Sequence, residues 1–119
     1  MSKPTELIKE YESLESEIFA MQDEIEDLHE MRESGETRIK ELIEIHQAAM
    51  DSGIELTFTK GQIYNLDKKI LDNIIKIDDM AEDLKGKRVS LGIIEAKIRK
   101  EGWKVEYTLI GQKLGWEEI

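Results

Sequence analysis

TELIKEYESLESEIFAMQDEIEDL, residues 5–28, decides the fold. Its apolar positions are Leu7, Tyr11, Leu14, Ile18, Met21, Ile25 and Leu28, and the intervals between them alternate four and three without a slip. Such a repeat keeps one narrow stripe of a helix turned toward another helix, which is a coiled-coil seam. Thr5 stands at its start, where a hydroxyl can take an orphan amide of the first turn.

The same count continues through Arg32, Gly35, Ile39, Leu42, His46 and Ala49. A turn at Ser34-Gly35, folding the segment into a helical hairpin, has no reason to preserve phase. The preferred reading is therefore one helix from Thr5 to about Met50, weakened near Gly35 by about 1 kcal/mol. Asp51-Ser52-Gly53 ends it, with Gly53 suited to the left-handed cap position. A helix of that length runs to roughly 70 Å. A remainder folded as a compact domain would be too small to cover it. The seam Leu7, Tyr11, Leu14, Ile18, Met21, Ile25 and Leu28 is therefore expected to be an oligomer interface, and the chain a homo-oligomer.

Downstream, Ile54-Glu55-Leu56-Thr57-Phe58-Thr59 alternates apolar and polar residues and reads as a strand ended at Lys60-Gly61. Ile63, Leu66, Ile70, Ile74, Ile77, Ala81 and Leu84 mark a second helix, widened by Leu71 and Ile75 into a core-facing stripe and ended at Gly86. Ser90 can cap a short helix carrying Leu91, Ile94 and Ile98, with Gly102 as its stop. Trp103, Val105, Tyr107 and Leu109 then alternate with polar residues. A type II′ turn at Gly111-Gln112 would set Leu109 opposite Leu114, Tyr107 opposite Trp116 and, unfavourably, Glu106 opposite Glu117. The expected fold is mainly α (α+β): an acidic coiled-coil helix over residues 1–52, then a compact unit of two helices and a small antiparallel sheet over 53–119.

Charge divides unevenly along the 119 residues. Residues 1–36 hold 12 acids against 3 bases, whereas residues 37–119 hold 15 acids against 14 bases. The net charge of -10 argues against direct nucleic-acid binding, which needs a basic surface. An acidic helix face either keeps the helix solvated or attracts a basic partner, and Glu17, Glu24 and Asp27 are the acids expected to bind such a partner. The specific version is an inhibitor that imitates nucleic acid. The alternative is a module that holds a phosphorylated ligand or nucleic acid on the basic C-terminal region, through Arg88, Arg99 and Lys100 beside Trp103.

Chemistry is hard to find. Cysteine is absent, which excludes disulfides, thiolate metal sites and thiol catalysis. No phosphate-loop, dinucleotide or HExxH motif occurs. Glu26 and His29 match a Glu-x-x-His element, but both flank the seam and do not lie on it. Asp78, Asp79, Glu82 and Asp83 offer oxygen ligands without a binding-loop glycine. No catalytic residue, metal or cofactor is assigned, and the chain is read as non-enzymatic. With no apolar run of membrane length and no signal-like start, it is read as cytoplasmic and without membrane contact.

Overall fold

The computed structural model describes residues 2–107 and 113–119. Helix α1 spans Thr5–Asp51 and helix α2 spans Thr57–Lys100; strands β1 (Trp103–Tyr107) and β2 (Lys113–Glu118) pair antiparallel. The chain is mainly helical with one small two-stranded sheet, the class its residues imply. Its residues gather into two compact units. Unit 1 holds residues 1–21 and 83–119, and unit 2 holds residues 22–82. A division at 52/53 would cut through unit 2, which is contiguous across that point.

Helix α1 runs without a break through Ser34-Gly35. Its buried face keeps the four-three phase throughout. Tyr11, Ile18, Leu28 and Leu42 are buried, while Leu7, Leu14, Met21, Ile25, Ile39, His46 and Ala49 are half-buried along the same stripe. At the N-terminus the cap differs from the expected one. The Pro4 carbonyl accepts the Ile8 amide, and the Thr5 hydroxyl turns back to the Lys3 carbonyl. At the C-terminus Gly53 does take a left-handed conformation, with φ 77°. The Ile54 amide bonds the Ala49 carbonyl at 2.8 Å and the Gly53 amide bonds the Met50 carbonyl at 2.9 Å. These two bonds form a Schellman cap, which satisfies carbonyls that the helix leaves without partners.

The cover for the α1 seam comes from α2 of the same chain. In unit 1, Ile8 and Tyr11 form one buried cluster with Ile94 and Ile98, and Leu7, Leu14 and Leu91 pack against it. In unit 2, a methyl group placed on Gly35 would lie 3.1 Å from Ile70 Cγ1, so the two helices approach closely there. The premise that the remainder is too compact to cover α1 therefore fails. Most of the remainder is a helix of 44 residues, which runs alongside α1 within each unit. Burial of Leu7 through Leu28 does not require a second copy.

Two further expectations are corrected. Residues 54–59 do not form a strand: 54–56 are irregular and α2 begins at Thr57. A strand needs a hydrogen-bonded neighbour, and among the described residues the sheet contains only β1 and β2. Leu56 instead offers its carbonyl to the Lys60 amide, which starts the helix, and Thr59 is buried within its first turn. Nor do Gly86 and Ser90 divide a long helix from a short one. Ile70, Ile77, Leu84, Leu91 and Ile98 recur every seventh residue and are all buried or half-buried, so one seam runs through. Gly86 is exposed, and its cost of about 1 kcal/mol is small beside the packing that continues on either side.

The terminal hairpin forms with another register. Val105 pairs with Trp116, Lys104 with Glu117 and Trp103 with Glu118, with an irregularity between Glu106 and Tyr107. The shift of two residues preserves which side chains share a face. It also replaces the Glu106–Glu117 clash by a Lys104–Glu117 ion pair of 3.8 Å. The Gly111-Gln112 turn and the Leu109–Leu114 pair lie outside the described residues.

The close approach at Gly35 generates a paired prediction. Gly35→Leu forces bulk against Ile70 and should cost about 1–3 kcal/mol of stability. Gly86→Ala, on an open helix face, should stabilise by about 0.5–1 kcal/mol. Urea titrations followed by helical circular dichroism separate the two, and a Gly35→Leu variant as stable as wild type would contradict the packing described.

Candidate binding surfaces

Three sets of side chains carry the distinctive chemistry. The first holds the hairpin to the helices of unit 1. Tyr11, a seam residue only 2% exposed, meets Trp116 edge to face at a ring separation of 5.0 Å and an angle of 83°. Its hydroxyl lies 2.9 Å from that of Tyr107. Trp116 Nε1 donates to Glu12 Oε1 at 3.0 Å. Lys113 Nζ stands 3.4 Å from Glu12 Oε1 and 3.2 Å from Glu15 Oε1, over the rings of Tyr11 and Trp116. Aromatic and charged contacts of this kind fix one docking geometry. None of these partners is close in sequence, so only the unusual bulk of a tyrosine on an otherwise aliphatic seam hinted at the contact.

The electrostatics follow the geometry. Burial, reinforced by the hydrogen bond with Tyr107, raises the Tyr11 phenol well above its ordinary value. The hydrogen bond from the Trp116 indole, together with the nearby Lys113 ammonium, lowers the Glu12 carboxyl. Burial alone would lower Lys113, but hydrogen bonding and charge from Glu15 and Glu12 outweigh it and raise this ammonium.

The second set is the basic region, and the structure does not gather it into a pocket. Trp103 is half-buried and packs on the Ile8–Ile98 cluster, with the Lys3 ammonium 5.9 Å from its ring, so part of it serves the core. Arg99 pairs with Glu95 at 3.6 Å. Arg88 lies eleven residues from Arg99 on one helix, about 16 Å away along the axis. Lys97, Arg99 and Lys100 occupy the last turn of α2, where cations complement the negative end of the helix dipole. That placement accounts for the cluster without a ligand.

The third set is the acidic surface of α1, and here the residues sort by position. Glu17 pairs with Lys87 at 3.4 Å in unit 1, and Glu24 pairs with Lys76 at 3.7 Å in unit 2. Both acids flank the seam and are matched by lysines of α2. Asp27 belongs to a different group. Asp23, Glu26, Asp27, Glu30 and Glu33 recur at helical spacing on the exposed side of α1 in unit 2, and none has an ion pair among the described residues. Sequence reasoning chose Asp27 from this group but missed its neighbours. Counting outward from the seam would have separated flank acids from outer acids. On the side of α1 that carries the exposed Met31, a groove of about 340 Å³ is lined by Met31, Gly35, Leu66, Lys69, Ile70, Asp72 and Asn73.

The remaining candidates stay apart. His29 is exposed, while His46 is half-buried on the seam with its Nδ1 lacking a hydrogen-bond partner. Among the described residues no helix is long and apolar enough to cross a membrane, and no three His, Asp or Glu side chains converge as metal ligands. No protein-family model, curated protein or solved structure matches this chain.

The unit 1 contacts predict opposite responses at the two ends of the pH scale. An unfolded tyrosine loses its proton near pH 10, whereas folded Tyr11 retains it. Its contribution is therefore intact below about pH 10 and falls as pH rises beyond that. Tyr11→Phe should lose about 1 kcal/mol with the Tyr107 hydrogen bond, yet show a shallower alkaline decline in thermal midpoint. Glu12 contributes above its unfolded value, near pH 4, and loses its contribution as pH falls through its lower folded value. Glu12→Gln should flatten the acid limb alone. Thermal melts across pH check both, and parallel curves for wild type and variants would contradict the assignment.

Proposed function

We propose that this protein is a non-enzymatic binding module that docks a basic protein surface on the outer acidic face of α1 in unit 2, acting as an adaptor or as an inhibitor of that partner. The observation that carries this reading is the contrast between two groups of acids. Glu17 and Glu24 are matched by lysines within the fold, while Asp23, Glu26, Asp27, Glu30 and Glu33 face solvent without ion pairs among the described residues. Five like charges on three turns repel one another and destabilise an isolated helix modestly. A basic partner relieves that repulsion, and its approach is accelerated by the field of the face.

Charge density narrows the kind of partner. Asp23 to Glu33 spans about 15 Å of helix, giving one charge per about 3 Å, against one per about 1.7 Å in duplex DNA. The face is thus sparser than nucleic acid but suited to arginine and lysine side chains spaced on a protein, including one that otherwise grips a phosphate backbone. The exposed Met31 supplies apolar contact area next to these acids.

The test begins with capture of partners from the native host and their identification by mass spectrometry. Association rates of the purified partner are then compared across variants. Changing Asp23, Glu26, Asp27, Glu30 and Glu33 together to their amides should slow association by about ten-fold at low ionic strength and flatten its salt dependence. Glu17→Gln with Glu24→Gln should leave the rate within about two-fold, because those acids are already neutralised by lysines. Equal rates for both variants, or a partner with no basic surface, would overturn the reading.

A further inference from the structure

Leu71 and Ile75 were expected to widen the core face of α2, yet they are 56% and 52% exposed, and Tyr64 on the same side is 69% exposed. With Lys68, Asp78 and Glu82 these residues form a second stripe: Tyr64, Lys68, Leu71, Ile75, Asp78, Glu82. Its intervals again alternate four and three. The residues that α2 buries inside unit 2, Ile70 and Ile77, lie on another side of the helix. Neither Lys68 nor Asp78 has an ion pair among the described residues. A helix surface with a complete seam spacing, apolar at its centre and oppositely charged at its two ends, calls for a partner of the same length and reversed direction.

We infer that the stripe is the contact between two copies of this chain, which pair α2 against α2 antiparallel about a twofold axis between Leu71 and Ile75. The sequence of the stripe selects this occupant and this register. Leu71 then faces Ile75 of the second copy, Lys68 faces Asp78, and Tyr64 faces Glu82, each contact occurring twice by symmetry. Sliding one copy by a heptad in one direction sets Lys68 against Leu71. Sliding it the other way sets Leu71 against Glu82 and Ile75 against Asp78. Both bury a charge against an apolar side chain. A parallel pair would set Lys68 against Lys68 and Asp78 against Asp78, which repel. Along one edge of the contact Ile74, half-buried within its own chain, meets its counterpart. Along the other edge Asp72 meets its own copy, and this repulsion, with the short apolar centre, makes the dimer reversible. The contact leaves the α1 seam and the outer acidic face unused, so it stands or falls separately from the function proposed above.

Sedimentation equilibrium of the full chain, over a concentration range from a few to several hundred micromolar, reads the outcome. Wild type should pass from monomer to dimer, and Leu71→Glu should remain monomeric with unchanged helical circular dichroism. Lys68→Glu and Asp78→Lys should each weaken dimerisation by about ten-fold or more, since each sets like charges opposite one another twice. An equimolar mixture of the two single variants should recover dimer. The carboxylate introduced at position 68 of one chain then faces the ammonium introduced at position 78 of the other, while the unchanged Asp78 and Lys68 still face each other. The doubly swapped chain should dimerise with itself for the same reason. A wild-type monomer throughout the range overturns the inference. So does association indifferent to these changes, or a mixture no stronger than its components.

Discussion

A helix that buries an apolar stripe requires a cover along the whole stripe, and this constraint governs the structure. The α1 stripe runs from Leu7 to Ala49, and α2 supplies residues for it in both units. The five residues between the helices are enough to reverse the chain, helped by the Gly53 cap. The glycine at position 35 lets Ile70 come close, and a Cβ there would press on the Ile70 side chain at 3.1 Å. Once the helices return alongside one another, acids flanking the α1 seam meet lysines on α2, as Glu17 meets Lys87 and Glu24 meets Lys76.

The same constraint explains why unit 1 ends in a hairpin. Near its N-terminus α1 adds the buried Ile8 beside the row of Leu7, Tyr11 and Leu14, and α2 stops at Lys100 with Gly102. The wider apolar surface is completed by Trp103 and Trp116, with Tyr11 as the common neighbour of Trp116 and Tyr107. Lys113 links the strand back to Glu12 and Glu15, so the hairpin is positioned by contacts to α1 as well as by its own ladder. Those long-range contacts also account for the observed register, which local cross-strand pairing did not reveal.

Much of the helical structure was legible because heptad phase is a long, redundant signal. The continuity of α1 through Gly35, the cap at Gly53 and the terminal pair of strands all follow from it or from strong turn residues. The failures share one cause: a short pattern has more than one physical solution. Six alternating residues at 54–59 fit a strand but lacked a partner strand. Gly86 and Ser90 resemble boundaries until the sevenfold recurrence of Ile70, Ile77, Leu84, Leu91 and Ile98 is counted across them. A seam also states only that something covers it, and the choice between a second copy and the chain's own α2 is a matter of tertiary structure. For the surfaces, composition showed that α1 is acidic, but only the position of α2 separates neutralised acids from free ones.

The central claim is that α1 is covered by α2 of its own chain, and nuclear Overhauser contacts test it most directly. In a sample with labelled chains diluted into unlabelled chains, the account predicts a contact between Gly35 Hα and the Ile70 methyl groups within the labelled chain. It predicts no such contact in an experiment filtered for pairs between labelled and unlabelled chains. A Gly35–Ile70 contact seen only between chains would show that the seam is covered by exchange between copies and would contradict the account.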